Sequence, residues 1–167
     1  MQEKATVVVS IVMGSDSDLP VMEESVNVLE AFAIPHELFL TSAHRTPERT
    51  AQFARGAAKR GVRVIIVGAG AAAHLAGVIA SQTLLPVIGV PIDATSLQGL
   101  DALFATVQMP GGIPVATMAI GKAGAKNAAL LAVRILALED AALLKKLQTY
   151  VRKMAQEVER KHENLKK

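Results

Sequence analysis

The stretch ATVVVSIVM, residues 5–13, is a continuous apolar run of strand length, rich in β-branched residues. VRVIIV at 62–67 and PVIGV at 86–90 repeat the pattern. Strands that are continuous rather than alternating are buried on both faces, as in parallel sheets covered by helices. HELFLT (36–41) and IPVATMAI (113–120) read as two more strands. Helical patterns fill the gaps. Met22, Val26, Leu29 and Phe32 recur at helical spacing, and Thr46-Pro47 predicts a helix from Pro47 to Arg60 with Thr46 as N-cap. A short helix is expected over Leu75–Thr83 and another over Leu97–Val107. Ala125–Leu138 is apolar on nearly all sides and is expected to be buried. Strands alternating with helices predict an α/β fold: a three-layer α/β/α sandwich around a roughly five-stranded parallel sheet, Rossmann-like or flavodoxin-like. The expected organisation is one domain over 1–167, with a core at about 5–138 and a C-terminal helical extension at 139–167. Leu143, Leu144, Leu147, Val151, Met154 and Val158 stripe that extension.

Composition narrows the function. Hydrophobic residues make up 51% of the 167, with a mean hydropathy of +0.34. The most apolar region, 64–80, is broken by His74 and a glycine-alanine cluster, so no membrane span is expected. The apolar surplus instead predicts faces buried between subunits. The first ten residues carry Glu3 and Lys4 and show no signal-peptide pattern. Cysteine is absent, which rules out disulfides, zinc-thiolate sites and thiol catalysis and fits a cytoplasmic location. From residue 139 onward there are eight Lys/Arg against five Asp/Glu, so the whole net charge of +3 sits there. With no Trp, one Tyr and four Phe, this reads as a solvated helix face rather than a nucleic-acid surface.

In such sheets ligands bind beyond the carboxyl ends of the strands. Polar and glycine residues gather at that edge. MGSDSDLP (13–20) follows the first strand; Gly14 suits a tight turn, Ser15 and Ser17 offer hydroxyls, and Asp18 can accept from ribose hydroxyls. The same residues are ordinary helix caps. TSAHRTPE (41–48) follows the second strand. Arg45 can clamp a phosphate bidentately, and His44 belongs to the one side-chain type that normally titrates near neutrality. The plain alternative is a solvated loop that starts a helix. VGAGAAAHLAG (67–77) follows the third strand and offers mobile backbone with one polar side chain, His74, which can bind a ligand or simply cap and pack. His36 and His162 lack such context. No cluster has metal-ligand spacing, and neither a Walker loop nor GxGxxG is present.

GSDSD, SAHRTP, GAGAAAHLAG, QMPGGIPV and AIGKAGAKNAALLA, in this order from about Val7 to Leu138, resemble the PurE family of purine biosynthesis. Together the five blocks are highly specific. Arg45 and the QMPGGIPV block resemble the class I form, a mutase that converts N5-carboxyaminoimidazole ribonucleotide to 4-carboxy-5-aminoimidazole ribonucleotide. Class II members carboxylate aminoimidazole ribonucleotide with carbon dioxide and typically carry lysine at the position of Arg45. The resemblance implies that Ser15 and Arg45 hold the phosphate, Asp18 the ribose hydroxyls, and that His44 moves the proton. It implies that Ser42, Gly70 and His74 line the pocket around base and carboxylate. It also implies a homo-octamer with sites at subunit interfaces and no metal or organic cofactor. The chain departs from the family's usual GAGGAAHLPG at Ala71 and Ala76, and has Ala102 and Ala105 where serines are common.

The implied chemistry needs few groups. Protonation releases carbon dioxide from the substrate, and the ring carbon recaptures it. That carbon then loses a proton, so one histidine can serve as acid and base. Two rivals are a flavodoxin-like flavin carrier, which the scarcity of aromatics disfavours, and a ribonucleotide sensor without turnover. A receiver domain would need an acidic acceptor after the third strand, where Val67-Gly68-Ala69 stands.

Overall fold

The computed structural model describes residues 7–166. Five strands form one all-parallel sheet: β1 (Val9–Met13), β2 (His36–Leu40), β3 (Val64–Gly70), β4 (Val87–Ile92) and β5 (Ala116–Thr117), in the order β2-β1-β3-β4-β5. The helices are α1 (Leu19–Ala31), α2 (Pro47–Ala57), α3 (Leu75–Ala80), α4 (Leu100–Val107), α5 (Lys122–Ala137) and α6 (Ala141–Asn164). This is the flavodoxin-like strand order, whose direction reverses between β1 and β3. Right-handed crossovers then send α1 to one face and α2, α3 and α4 to the other. Side chains agree. Phe53, Ala57, Leu75, Ile79 and Ala102 cluster with Val12, Ile65 and Val67, while Ser25 of α1 donates to the Ala125 carbonyl at the start of α5 on the opposite face (2.6 Å).

Burial follows the apolar pattern. Every residue of β1 and β4 is buried, and all of β3 up to Ala69. The edge strands β2 and β5 hold no buried residue. Close packing on the sheet, by a helix in one case and by the loop after β4 in the other, explains two glycines. A Cβ on Gly68 would collide with the Met22 side chain of α1, and one on Gly70 would lie 2.5 Å from Ala94 Cβ.

Several boundaries differ from expectation, each for a physical reason. Residues 5 and 6 of the first run lie outside the described residues, and the ladder begins at Val9. The fifth strand shrinks to two residues. Pro110, Gly111, Gly112 and Pro114 leave the approach irregular, and only Ile88–Ala116 and Gly89–Thr117 pair in register. Helix α4 starts at Leu100 rather than Leu97, because Gln98 (φ +52°) and Gly99 (φ +83°) are both left-handed. Helix α5 is buried along one face, through Ala125, Ala128, Ala129, Ala132 and Val133, while Lys126, Asn127 and Arg134 are exposed. Thr46 stands at the N-cap of α2 but makes no capping bond.

Two compact units divide at Ala132/Val133. In the second, Asp140 caps α6 by accepting from Ala142 and Leu143 N–H (2.9 Å each). Leu143 and Leu147 are buried there, whereas Leu144, Val151, Met154 and Val158 of the same stripe are exposed. No helix among the described residues is long and apolar enough to cross a membrane.

Candidate active site

Register brings three loops to one level. Met13 pairs with Leu40 on one side and Gly68 on the other, so the chain leaves β1 and β2 together, and β3 runs on only as far as Gly70. Two bonds carry the pairing into the loops. Gly14 N–H donates to the Gly68 carbonyl (3.3 Å) and Thr41 N–H to the Met13 carbonyl (3.0 Å). This is the strand-order switch point, where an open α/β sheet leaves a crevice.

The first loop folds on itself. Ser15 caps a single turn of 3-10 helix (Asp16–Asp18) in a capping box: its hydroxyl accepts from Ser17 N–H (3.3 Å), and Asp18 Oδ2 accepts from Ser15 N–H (3.0 Å). Ser17 Oγ donates to Ser15 Oγ (2.9 Å), and Ser15 Oγ to Asp16 Oδ1 (3.2 Å). Asp18 is only 4% exposed. Burial holds its carboxyl above the ordinary aspartate pKa, against the lowering effect of backbone N–H groups at Ser15 and Gly14. Gly14 is not left-handed, and a Cβ there would meet only ordinary contacts with Asp18 and Leu75, so no turn strain demands glycine.

The second loop is braced from behind. Thr46 Oγ1 donates to the Ser42 carbonyl (3.1 Å) and accepts from Ser42 N–H (3.0 Å), closing the loop into a ring. Thr50 Oγ1 donates to the Thr46 carbonyl (3.1 Å), and buried Thr41 lies within hydrogen-bond distance of both hydroxyls. The exposed side chains then reach across to the other loops. Arg45 Nη2 donates to the Gly14 carbonyl (3.2 Å) and Nε to Ser42 Oγ (3.4 Å). His44 Nε2 meets His74 Nδ1 at 2.9 Å, with the rings nearly perpendicular.

The three loops enclose a cavity of about 320 Å³. Of the residues singled out from the sequence, Ser15, Asp18, Ser42, His44, Arg45 and Gly70 line it. His74 is placed differently: it stands beside His44 as its ring partner, outside the lining. Ala69 to Ala72 form the small-residue wall, and Ala94, in the polar stretch PIDATSLQG (91–99) that leaves β4, adds a contact from a fourth strand end. Ala71 keeps a left-handed backbone (φ +53°) although it carries a Cβ. A second cavity of about 410 Å³ shares Gly14, Ser15, Ser42 and Arg45 with the first and continues to Arg49, which sequence reasoning missed. Its one signal was its position four residues beyond Arg45. Among the described residues, no three His, Asp or Glu side chains gather as a metal site.

The chain matches the family model described as AIR carboxylase over residues 8–157. It is 57% identical over 157 residues, covering 94% of this chain and 88% of the other, to an N5-carboxyaminoimidazole ribonucleotide mutase of Pyrococcus horikoshii. A protein of the same name from Thermotoga maritima is 52% identical over 157 residues, 94% of this chain and 91% of that one. The crystal structure of Treponema denticola PurE superposes with a TM-score of 0.86 at 30% identity, covering 96% of this chain and 99% of that one. Crevice, loops and likeness agree: the chain belongs to the AIR carboxylase, or PurE, family.

Proposed function

We propose that the chain is an N5-carboxyaminoimidazole ribonucleotide mutase of purine biosynthesis, with His44 as its general acid and base. The observation that carries this reading is the placing of His44 on a cavity walled by small residues, in a chain 57% identical to a mutase over 94% of its length. The isomerisation moves a carboxylate from the exocyclic nitrogen to ring carbon C4. His44 donates a proton to that nitrogen as the N–CO2 bond breaks, giving aminoimidazole ribonucleotide and carbon dioxide. C4 attacks the carbon dioxide, and the imidazole takes the proton that C4 must lose. The proton account closes, and the histidine ends as it began.

The pair with His74 suits that cycle. The 2.9 Å gap between the rings is a length that one proton can bridge. The pair accepts one further proton with the bond intact, whereas a second puts N–H against N–H and breaks it. His74 is in this account a positioning residue. Ala69 to Ala72 put no polar side chain beside the carbon dioxide. Arg45 and Ser15 hold the phosphate, Asp18 the ribose hydroxyls, and Ser42 and Gly70 the base end. The Ser15 hydroxyl, which donates to Asp16 Oδ1 (3.2 Å), is the donor this reading gives to a phosphate oxygen.

The oligomer is a homo-octamer and the location cytoplasmic in this reading. Leu38 and Leu40 on the edge strand and Leu100, Phe104 and Val107 on α4 are exposed apolar side chains that subunit contacts would cover. The alternative is the class II carboxylase, and Arg45 supports class I against it. Two parallel assays separate the readings, following product by its ultraviolet absorbance. Fresh N5-carboxyaminoimidazole ribonucleotide goes into one, aminoimidazole ribonucleotide with low bicarbonate into the other. Rapid product only in the first is expected. Efficient product in the second makes the chain a carboxylase. Silence in both with ligand binding intact makes it a ribonucleotide sensor.

A further inference from the structure

We infer that the second cavity is the phosphate end of the site and that Arg49 is its outer cation. The inference rests on the ribonucleotide reading above. Two adjoining cavities share one wall of Gly14, Ser15, Ser42 and Arg45. His44, Asp18 and the Ala69–Ala72 wall belong to the first only, and Arg49 to the second only. A ribonucleotide spanning both has its reacting base beside His44 and its phosphate across the shared wall.

The two guanidinium groups differ in what they have left to give. Arg45 already spends Nε and Nη2 on Ser42 and Gly14. Arg49 makes no hydrogen bond or ion pair among the described residues; it lies over the Phe39 ring, 4.9 Å from the centroid. Phe39 is itself stacked on buried Phe53 (4.3 Å between centroids). The aromatic pair thus orients a guanidinium without consuming its donors, and all five N–H groups stay available to an anion. The opposing charge in this cavity is Asp16, whose Oδ1 is held by Ser17 N–H (3.1 Å) and Ser15 Oγ (3.2 Å). Two cations against one carboxylate leave a net positive cavity, which suits a phosphate dianion.

The test compares wild type, Arg49→Gln and Arg49→Lys in two ways. Calorimetric titration with ribose 5-phosphate and with inorganic phosphate needs no turnover, so it reads Arg49 even if the mutase reading fails. Arg49→Gln is expected to bind both about tenfold more weakly, the loss of one charge-assisted contact, and Arg49→Lys to recover part of it. In the mutase assay the rise in KM should exceed any fall in kcat. Unchanged binding of both probes in Arg49→Gln would overturn the inference, as would a loss in kcat with KM unmoved. Wild type that binds phosphate through Arg49 yet fails to turn over would sink the mutase reading alone.

Discussion

The loops after β1 and β2 are both short and polar, and they spend their hydrogen bonds in opposite ways. In the first, Ser15, Asp16, Ser17 and Asp18 bond to one another. In the second, the hydroxyls of Thr41, Thr46 and Thr50 brace the backbone from behind. Arg45 and His44 reach outward to Gly14 and His74. The first loop is a cradle complete in itself; the second ties three loops into one site. The difference teaches where damage should spread. Changes in the first loop should affect binding locally, whereas changes in the second should affect chemistry and the alignment of the whole crevice.

The comparison breaks most sharply at His44. His44→Asn should lower kcat by about 10²- to 10⁴-fold, the usual worth of a positioned acid–base group, with ribonucleotide affinity within a few-fold. Near-normal turnover would remove the imidazole from the proton path. Next comes the brace. Thr46→Val deletes the hydroxyl that closes the ring with Ser42, and should cost about 1–3 kcal/mol in denaturant unfolding together with a fall in kcat/KM. Loss of stability without loss of activity would mean that the loop's shape does not matter to catalysis.

Asp18 sharpens the comparison from the other side. Its pKa is raised by burial, so just above the ordinary aspartate range the native state holds its proton more tightly than the unfolded chain. Stability contributed there falls as pH rises from the unfolded value through the folded one. Asp18→Asn keeps an oxygen to accept from Ser15 N–H and drops the charge. Its melting temperature should therefore gain on wild type as pH rises through that window, while ribonucleotide affinity falls. An Asp18→Asn melting temperature that loses ground to wild type as pH rises would show that the backbone N–H groups outweigh burial. Ala71 gives the smallest effect. Left-handed alanine is strained by about 1–2 kcal/mol, and glycine returns part of that as chain entropy, so Ala71→Gly should stabilise by less than about 1 kcal/mol.

What the amino-acid sequence revealed tracks how local each cause is. β1, β3 and β4 were legible because burial on both faces needs an unbroken apolar run. β5 was overdrawn because IPVATMAI has strand composition, but its pairing ends with Gly89–Thr117. The capping box at Ser15 is a four-residue pattern and can be read directly. The bond between His44 and His74 joins residues 30 apart and exists only because β2 and β3 flank β1 in parallel. Thr46 misled for a different reason: cap composition was right, yet the backbone of Ser42, four residues back, took the hydroxyl. Arg49 stayed hidden because nothing local shows that its neighbour Phe39 lies beneath it.

The central claim is that carbon dioxide released beside His44 stays within the small-residue cavity until C4 captures it. The direct measurement starts from N5-carboxyaminoimidazole ribonucleotide labelled with carbon-13 in the carboxylate. It is turned over in unlabelled bicarbonate, and the product carboxylate is read by mass. Retention of the label in nearly every turnover is predicted. Label diluted to the level of the surrounding pool would contradict the account, because the carbon dioxide would then have left the site before the new bond formed.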